Sequence, residues 1–133
     1  MVNSLKKEIE LRKDYLNNTT IKTIYFGGGT PSILKKSELS MLINTIYENY
    51  TITENPEISL ECNPDDLTKI KLKNLKKIGI NRLSIGIQSF NSEDLKFMNR
   101  SHNCEQAISS VKLAKKIGFN NISIDLMYSL PKQ

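Results

Sequence analysis

Tryptophan is missing from this 133-residue chain, which holds one histidine, His102, and two cysteines, Cys62 and Cys104, 42 positions apart. Zinc and cubane iron–sulfur sites draw three or four soft ligands from close-set pairs or triplets, so no standard site of either kind is expected here. A structural disulfide is equally unexpected in a reducing compartment. No apolar run approaches the roughly 20 residues that cross a bilayer, and Met1 to Glu10 have no apolar stretch between basic flank and cleavage site. These absences predict a cytoplasmic chain with no stable membrane insertion. Aromatics are sparse too, five Tyr and four Phe, mostly at apolar-periodic positions rather than interleaved with charge. The formal charge of +5 comes mainly from lysines such as Lys35, Lys36, Lys69, Lys71, Lys73, Lys76, Lys77, Lys115 and Lys116 on or beside predicted helices. A solvated helix face explains them better than a nucleic-acid partner, which needs a basic stripe with stacking rings.

With 38% apolar and 25% charged residues, the chain has the balance of one soluble domain, residues 1–133, able to bury one modest core. Apolar spacing reads as α-β-α-β-α-β-α-β. Val2, Leu5, Ile9 and Leu16 predict a first helix, and Ile21 to Phe26 a strand that stops at Gly27. Ser37 is the expected cap of a second helix carrying Leu39, Leu42, Ile43, Ile46 and Tyr50, with Pro56 beyond its end. Strand 57–62 follows. Thr68, or Asp65 and Asp66, should open a third helix with Leu72, Leu75 and Ile78, closed by Gly79 in a left-handed cap. Strand 82–88 leads to a short helix from Ser92, Glu93 and Asp94. Asn103 and Gln106 form a capping-box pair for a longer helix ending at Gly118, before strand 121–127. Ala107, Val111, Ala114 and Gly118 give that helix a small-residue face for close packing on a sheet. The stretch Lys76 to Ile85 returns as Lys115 to Ile124 at an offset of 39 residues, as successive βα units of a parallel sheet or barrel would produce.

Parallel α/β sheets bind ligands beyond the carboxyl ends of their strands, where loops and helix N-termini gather. The four strand ends here are Gly27-Gly28-Gly29-Thr30-Pro31, the run from Glu61 to Asp66, Gly86-Ile87-Gln88-Ser89-Phe90, and the run from Asp125 to Pro131. Alternation sends Ile58, Leu60, Cys62, Leu83, Ile85, Ile87, Ile122, Ile124 and Leu126 to one face. Ser59, Glu61, Asn63, Ser84, Gly86, Gln88, Ser123, Asp125 and Met127 go to the other. Glu61, Gln88 and Asp125 thereby share a polar face. They either satisfy one another inside a barrel or serve a common ligand; three together beside a triple glycine favour the ligand. The glycines match neither a Walker A loop nor GxGxxG, but bare backbone lets a small ligand's amino or carboxylate group reach peptide groups directly.

In order and spacing these motifs resemble the radical S-adenosylmethionine enzymes of the oxygen-independent coproporphyrinogen III oxidase and HemW-like group. The match runs through Tyr25 to Ser32, Glu61 to Pro64, Ser84 to Phe90, Asn99 to His102 and Ile124 to Tyr128. The Arg100-Ser101-His102-Asn103 form leans toward the HemW-like haem-chaperone branch. The resemblance implies an α/β fold, a partial barrel of about four βα units with a parallel sheet. It implies that Gly28, Gly29 and Thr30 hold the methionine end of S-adenosylmethionine, that Glu61 and Gln88 take its ribose hydroxyls, and that Arg100 and Asp125 surround its carboxylate. Porphyrin or haem is the implied second ligand, with His102 and Cys104 conceivable as haem ligands, although a histidine just before a helix cap is more often a surface or cap residue.

The resemblance also sets expectations about what lies outside the 133 residues. The family's CxxxCxxC loop, which binds a 4Fe-4S cluster, would fall upstream of residue 1, and strand one, strand six and a C-terminal domain would lie outside as well. Met1 would be an internal methionine or a misplaced start, and Lys132-Gln133 the end of a gene fragment, so the chain alone is expected to be inactive. Ser129 stands where the family usually has glycine. A fragment of this kind would expose both sheet edges and self-associate. A complete flavodoxin-like or receiver-like domain would suit the length, but the early acidic cluster, late lysine and FMN-type hydroxyl-rich loop are missing.

Overall fold

The computed structural model describes residues 1–131. Among the described residues nine α-helices and strands follow one another: α1 (Val2–Leu11), β1 (Ile21–Phe26), α2 (Lys36–Asn49), β2 (Ile52–Cys62), α3 (Lys69–Lys77), β3 (Arg82–Gln88), α4 (Ser92–Phe97), α5 (Cys104–Ile117) and β4 (Asn121–Leu126). The strands form one parallel sheet in the order β1-β2-β3-β4. The sequence-read architecture, an α/β succession of βα units, is the one observed.

The 39-residue repeat has a structural counterpart. Gly79 and Gly118 both take left-handed backbone, φ +95° and +99°. After each, an amide reaches back to close the helix, Ile80 N–H to Leu75 C=O and Phe119 N–H to Ala114 C=O, both at 3.1 Å. Glycine reaches this region without a Cβ clash. The apolar residue that follows, Ile80 or Phe119, is thrown into the core. Lys76 in the first copy donates to Gly118 C=O in the second, tying consecutive units together.

Sheet parity sets the core. Ile58, Leu60, Cys62, Leu83, Ile85 and Ile87 are buried on the helix-covered face with Leu39, Ile43, Leu72, Leu75, Ala107 and Ala114. On β4 Ser123 and Asp125 turn to the polar face as expected, while on the other face Ile122 packs on this core but Ile124 and Leu126 are exposed, because no helix among the described residues follows to cover them. The opposite face is polar. Arg82 donates through Nη1 to Ser59 Oγ and through Nη2 to Ser123 Oγ, both at 3.2 Å, and Ser123 Oγ donates to Ser84 Oγ at 3.2 Å.

Several boundaries differ from the sequence reading, those at Tyr50 and Ile78 among them, each one residue past the end of its helix. Leu16 lies beyond α1, which ends at Leu11 and buries no residue, so it gains little from extending. Helix α2 starts at Lys36 with Lys35 as its cap residue rather than Ser37; the Glu38 carboxylate accepts from the Lys35 N–H at 2.7 Å. Strand β2 begins at Ile52, not residue 57, and takes in Pro56 where the pairing with β1 jumps from Ile21↔Ile52 to Thr23↔Glu57. Proline has no N–H for a ladder, so an irregular stretch accommodates it. Strand β4 stops at Leu126, one residue early. Asp65 and Asp66 sit in a 3₁₀ turn, leaving Thr68 to cap α3 by accepting from Lys71 N–H at 3.2 Å. The Asn103–Gln106 capping box is present in both directions, at 2.8 and 2.9 Å.

Candidate functional site

At the carboxyl ends of the strands lies a polar cavity of about 200 Å³, lined by Gly29, Thr30, Glu61, Cys62, Asn63, Ser84, Gly86, Gln88, Arg100 and Asp125. Six of the seven residues singled out from the sequence meet there. The seventh, Gly28, stands just outside the lining, its N–H donating to Glu61 Oε2 at 3.0 Å.

Each strand contributes its end. After β1, Gly28 and Gly29 run with φ +78° and +72°. Gly27 needs the lack of a side chain for a different reason: a Cβ there would come within 2.5 Å of the Tyr25 ring and 2.8 Å of Glu61 Oε1. Glu61, near the end of β2, accepts from Tyr25 Oη at 2.8 Å through Oε1, and so pins the glycine loop from both sides. That hydrogen bond, more than burial or charge, holds the Tyr25 phenol above its ordinary value. Arg100 reaches in from the loop between α4 and α5. Its Nη2 donates to Asn63 Oδ1 at 2.9 Å and to Gly86 C=O at 3.2 Å.

Two observations bear on whether the polar residues only satisfy one another. Ser84 Oγ donates to Asp125 Oδ1 at 3.2 Å, and Glu61 is engaged as above, so mutual satisfaction accounts for part of the set. It does not account for Arg100 Nε, a buried donor on a cavity-lining residue that has no hydrogen-bond partner. A buried guanidinium N–H without an acceptor is costly.

Sequence reasoning had not given Asn63, Ser84 or Gly86 a role at the cavity. The parity signal was available, since all three share the face of Glu61 and Gln88. Asn63 anchors Arg100, and Gly86 leaves room for the Gln88 amide, whose Nε2 lies 2.9 Å from where a Gly86 Cβ would stand. His102 departs from its reading as a surface or cap residue. It is 2% exposed, and its Nε2 lies 3.0 Å from the Ile87 carbonyl. Cys104 opens α5, apart from the cavity lining. Ser129 takes φ +57°, the conformation that glycine would occupy freely. Lys132 and Gln133 lie outside the described residues.

The Radical SAM superfamily model matches residues 3–133. The chain is 42% identical over 132 residues to the heme chaperone HemW of Buchnera aphidicola (subsp. Acyrthosiphon pisum), covering 99% of this chain and 35% of that protein. It is 36% identical over 132 residues to the oxygen-independent coproporphyrinogen III oxidase of Salmonella typhimurium, covering 99% of this chain and 29% of the oxidase. Among solved structures, coproporphyrinogen III oxidase (HemN) from Escherichia coli superposes with a TM-score of 0.88 at 36% identity, over 98% of this chain and 30% of that one. The chain thus spans about a third of the length of these relatives. A family-wide match over nearly every residue, on a sheet whose strand ends converge as described, places the chain in the radical SAM superfamily.

Proposed function

We propose that this chain supplies the S-adenosylmethionine-binding part of a HemW-like protein that handles haem or a porphyrin. The observation that carries the reading is the convergence of Gly29, Thr30, Glu61, Gln88, Arg100 and Asp125 on one polar cavity at the strand ends. Arg100 and Asp125 surround the amino-acid carboxylate. Gly28, Gly29 and Thr30 present bare backbone to the methionine end, and Glu61 and Gln88 take the ribose hydroxyls. Each Glu61 oxygen already accepts one bond and keeps a second acceptor site free for a hydroxyl. The cavity is smaller than the roughly 300–1,000 Å³ usual for small-molecule sites, so it encloses one end of the ligand while the rest lies over the open polar face. When bound, S-adenosylmethionine supplies a sulfonium group for reductive cleavage.

The 4Fe-4S cluster that the superfamily implies does not fit these residues. Among the described residues no group of three His, Cys, Asp or Glu side chains could hold a metal ion. Burial pushes the Cys62 thiol up to about 12, far from the thiolate a cluster needs. The work of this chain is therefore to bind and orient, and we assign it no catalytic group. A cytoplasmic setting accords with the absence, among the described residues, of any helix long and apolar enough to cross a membrane.

Equilibrium dialysis with labelled S-adenosylmethionine tests the reading, on this chain and on a longer protein containing it. Arg100→Ala is expected to weaken binding at least tenfold, the loss of about one charge-assisted hydrogen bond. Unchanged affinity in that variant would sink the assignment. The HemW reading is favoured over the oxidase by the resemblance of Arg100-Ser101-His102-Asn103 to that branch. Haem retained by the longer protein supports the chaperone; conversion of coproporphyrinogen to protoporphyrinogen supports the oxidase.

A further inference from the structure

Strand β3 ends in an unusual turn. Ser89 N–H donates to Ile87 C=O at 2.9 Å across a single residue, Gln88, whose φ is +67°. A three-residue turn closed this way around a positive-φ centre is the rarer, strained form of the γ-turn, and a non-glycine residue at its centre adds to the strain. The pairing of β3 with β4 slips at the same place, from Gly86↔Asp125 to Gln88↔Leu126. The turn folds the Gln88 side chain back over Gly86 into the cavity.

Such a conformation persists only where its surroundings over-determine it. Two contacts from outside the turn do so here. Met127 N–H donates to Gln88 C=O at 2.8 Å. His102 Nε2 stands 3.0 Å from the same Ile87 carbonyl that closes the turn, on a ring that is 2% exposed. A carbonyl only accepts, so Nε2 carries a proton and donates it to Ile87 C=O. Nδ1 is buried with no donor facing it. A histidine placed only to fill space would be replaceable by an apolar ring; this one keeps Nδ1 buried and unpartnered for the sake of one bond to Ile87 C=O.

We infer that His102 is a positioning residue: it locks the strained turn at Gln88 and thereby sets the Gln88 amide in the ligand cavity. The inference rests on the reading of that cavity as an S-adenosylmethionine site. It also assigns His102 a task other than haem ligation, since neither ring nitrogen is open to an external metal.

The test is a double-mutant cycle read by S-adenosylmethionine affinity, with amide hydrogen exchange as a ligand-free readout. His102→Ala should weaken binding about tenfold in the wild-type background and by less than about twofold in the Gln88→Ala background, because the two act through one group. Exchange at Ser89 and Met127 should quicken while the β1–β2 ladder keeps its protection. Equal losses in both backgrounds would overturn the proposal, as would unchanged exchange at the turn. Should His102→Ala not fold, His102→Gln, whose amide can donate to Ile87 C=O, takes its place and is expected to hold affinity and protection near wild type; loss of both in the folded glutamine variant refutes the role. If wild-type protein binds no S-adenosylmethionine, the functional reading fails and the exchange data alone decide the role of His102.

Discussion

Glu61 holds Tyr25 Oη with one carboxylate oxygen and Gly28 N–H with the other, so a single side chain clamps the glycine loop that it also borders. Glu61→Gln keeps the size and removes one acceptor, and the Tyr25 phenol should then titrate closer to its ordinary 10.0, a shift read by ultraviolet absorbance. Because the folded value is raised, whatever stability this bond adds is present below pH 10.0 and fades as the pH climbs through the folded value. Cys62 makes a second case. Its thiol is pushed up to about 12 mainly by burial, so alkylation of native protein at pH 8 should label Cys104 and spare Cys62 until denaturant is added. Early labelling of Cys62 would show that the β2 end opens. Glu61, Gln88 and Asp125 were legible in the sequence because motif and strand parity pointed to the same positions, whereas Arg100, in a loop, rested on the motif alone. Gly86 was not legible, since its part is to leave space, and space depends on where the Gln88 and Arg100 side chains come to rest.

Caps were the most legible feature among the elements, wherever a side chain or a backbone torsion dictates the stop. Asn103, Thr68, Gly79 and Gly118 all sit where local chemistry places them. The start of α2 was misread because Ser37 is an acceptable cap with no acceptor role here, while Glu38 reaches back to an extended Lys35 backbone instead. Substituting alanine at Gly79, where φ is +95°, should destabilise the fold by about 1–2 kcal/mol, the penalty of a Cβ in left-handed backbone, measured by urea denaturation. Asn103→Ala should remove about 1 kcal/mol by deleting the cap of α5, and because that helix follows directly on His102 its effect should spread to the turn at Gln88.

At the level of the whole molecule, alternation predicted the faces of β2, of β3 and of β4 through Asp125, while burial on β4 depends on a neighbour rather than on the strand's own pattern. Both β1 and β4 are sheet edges among the described residues, and Ile124 and Leu126 are exposed on β4. Sedimentation velocity should therefore show concentration-dependent association of the isolated chain, reduced by Ile124→Lys. A monodisperse monomer at all concentrations would show that these edges do not mate. The strand order 1-2-3-4 follows the order of the chain, and every strand pairs with the one made before it. No strand has to wait for a distant partner. During synthesis each unit leaving the ribosome can dock on a surface already in place, with the Lys76 contact to Gly118 C=O fastening the next unit on arrival, so the sheet grows in one direction and the edge at risk of aggregation on its growing side moves with it.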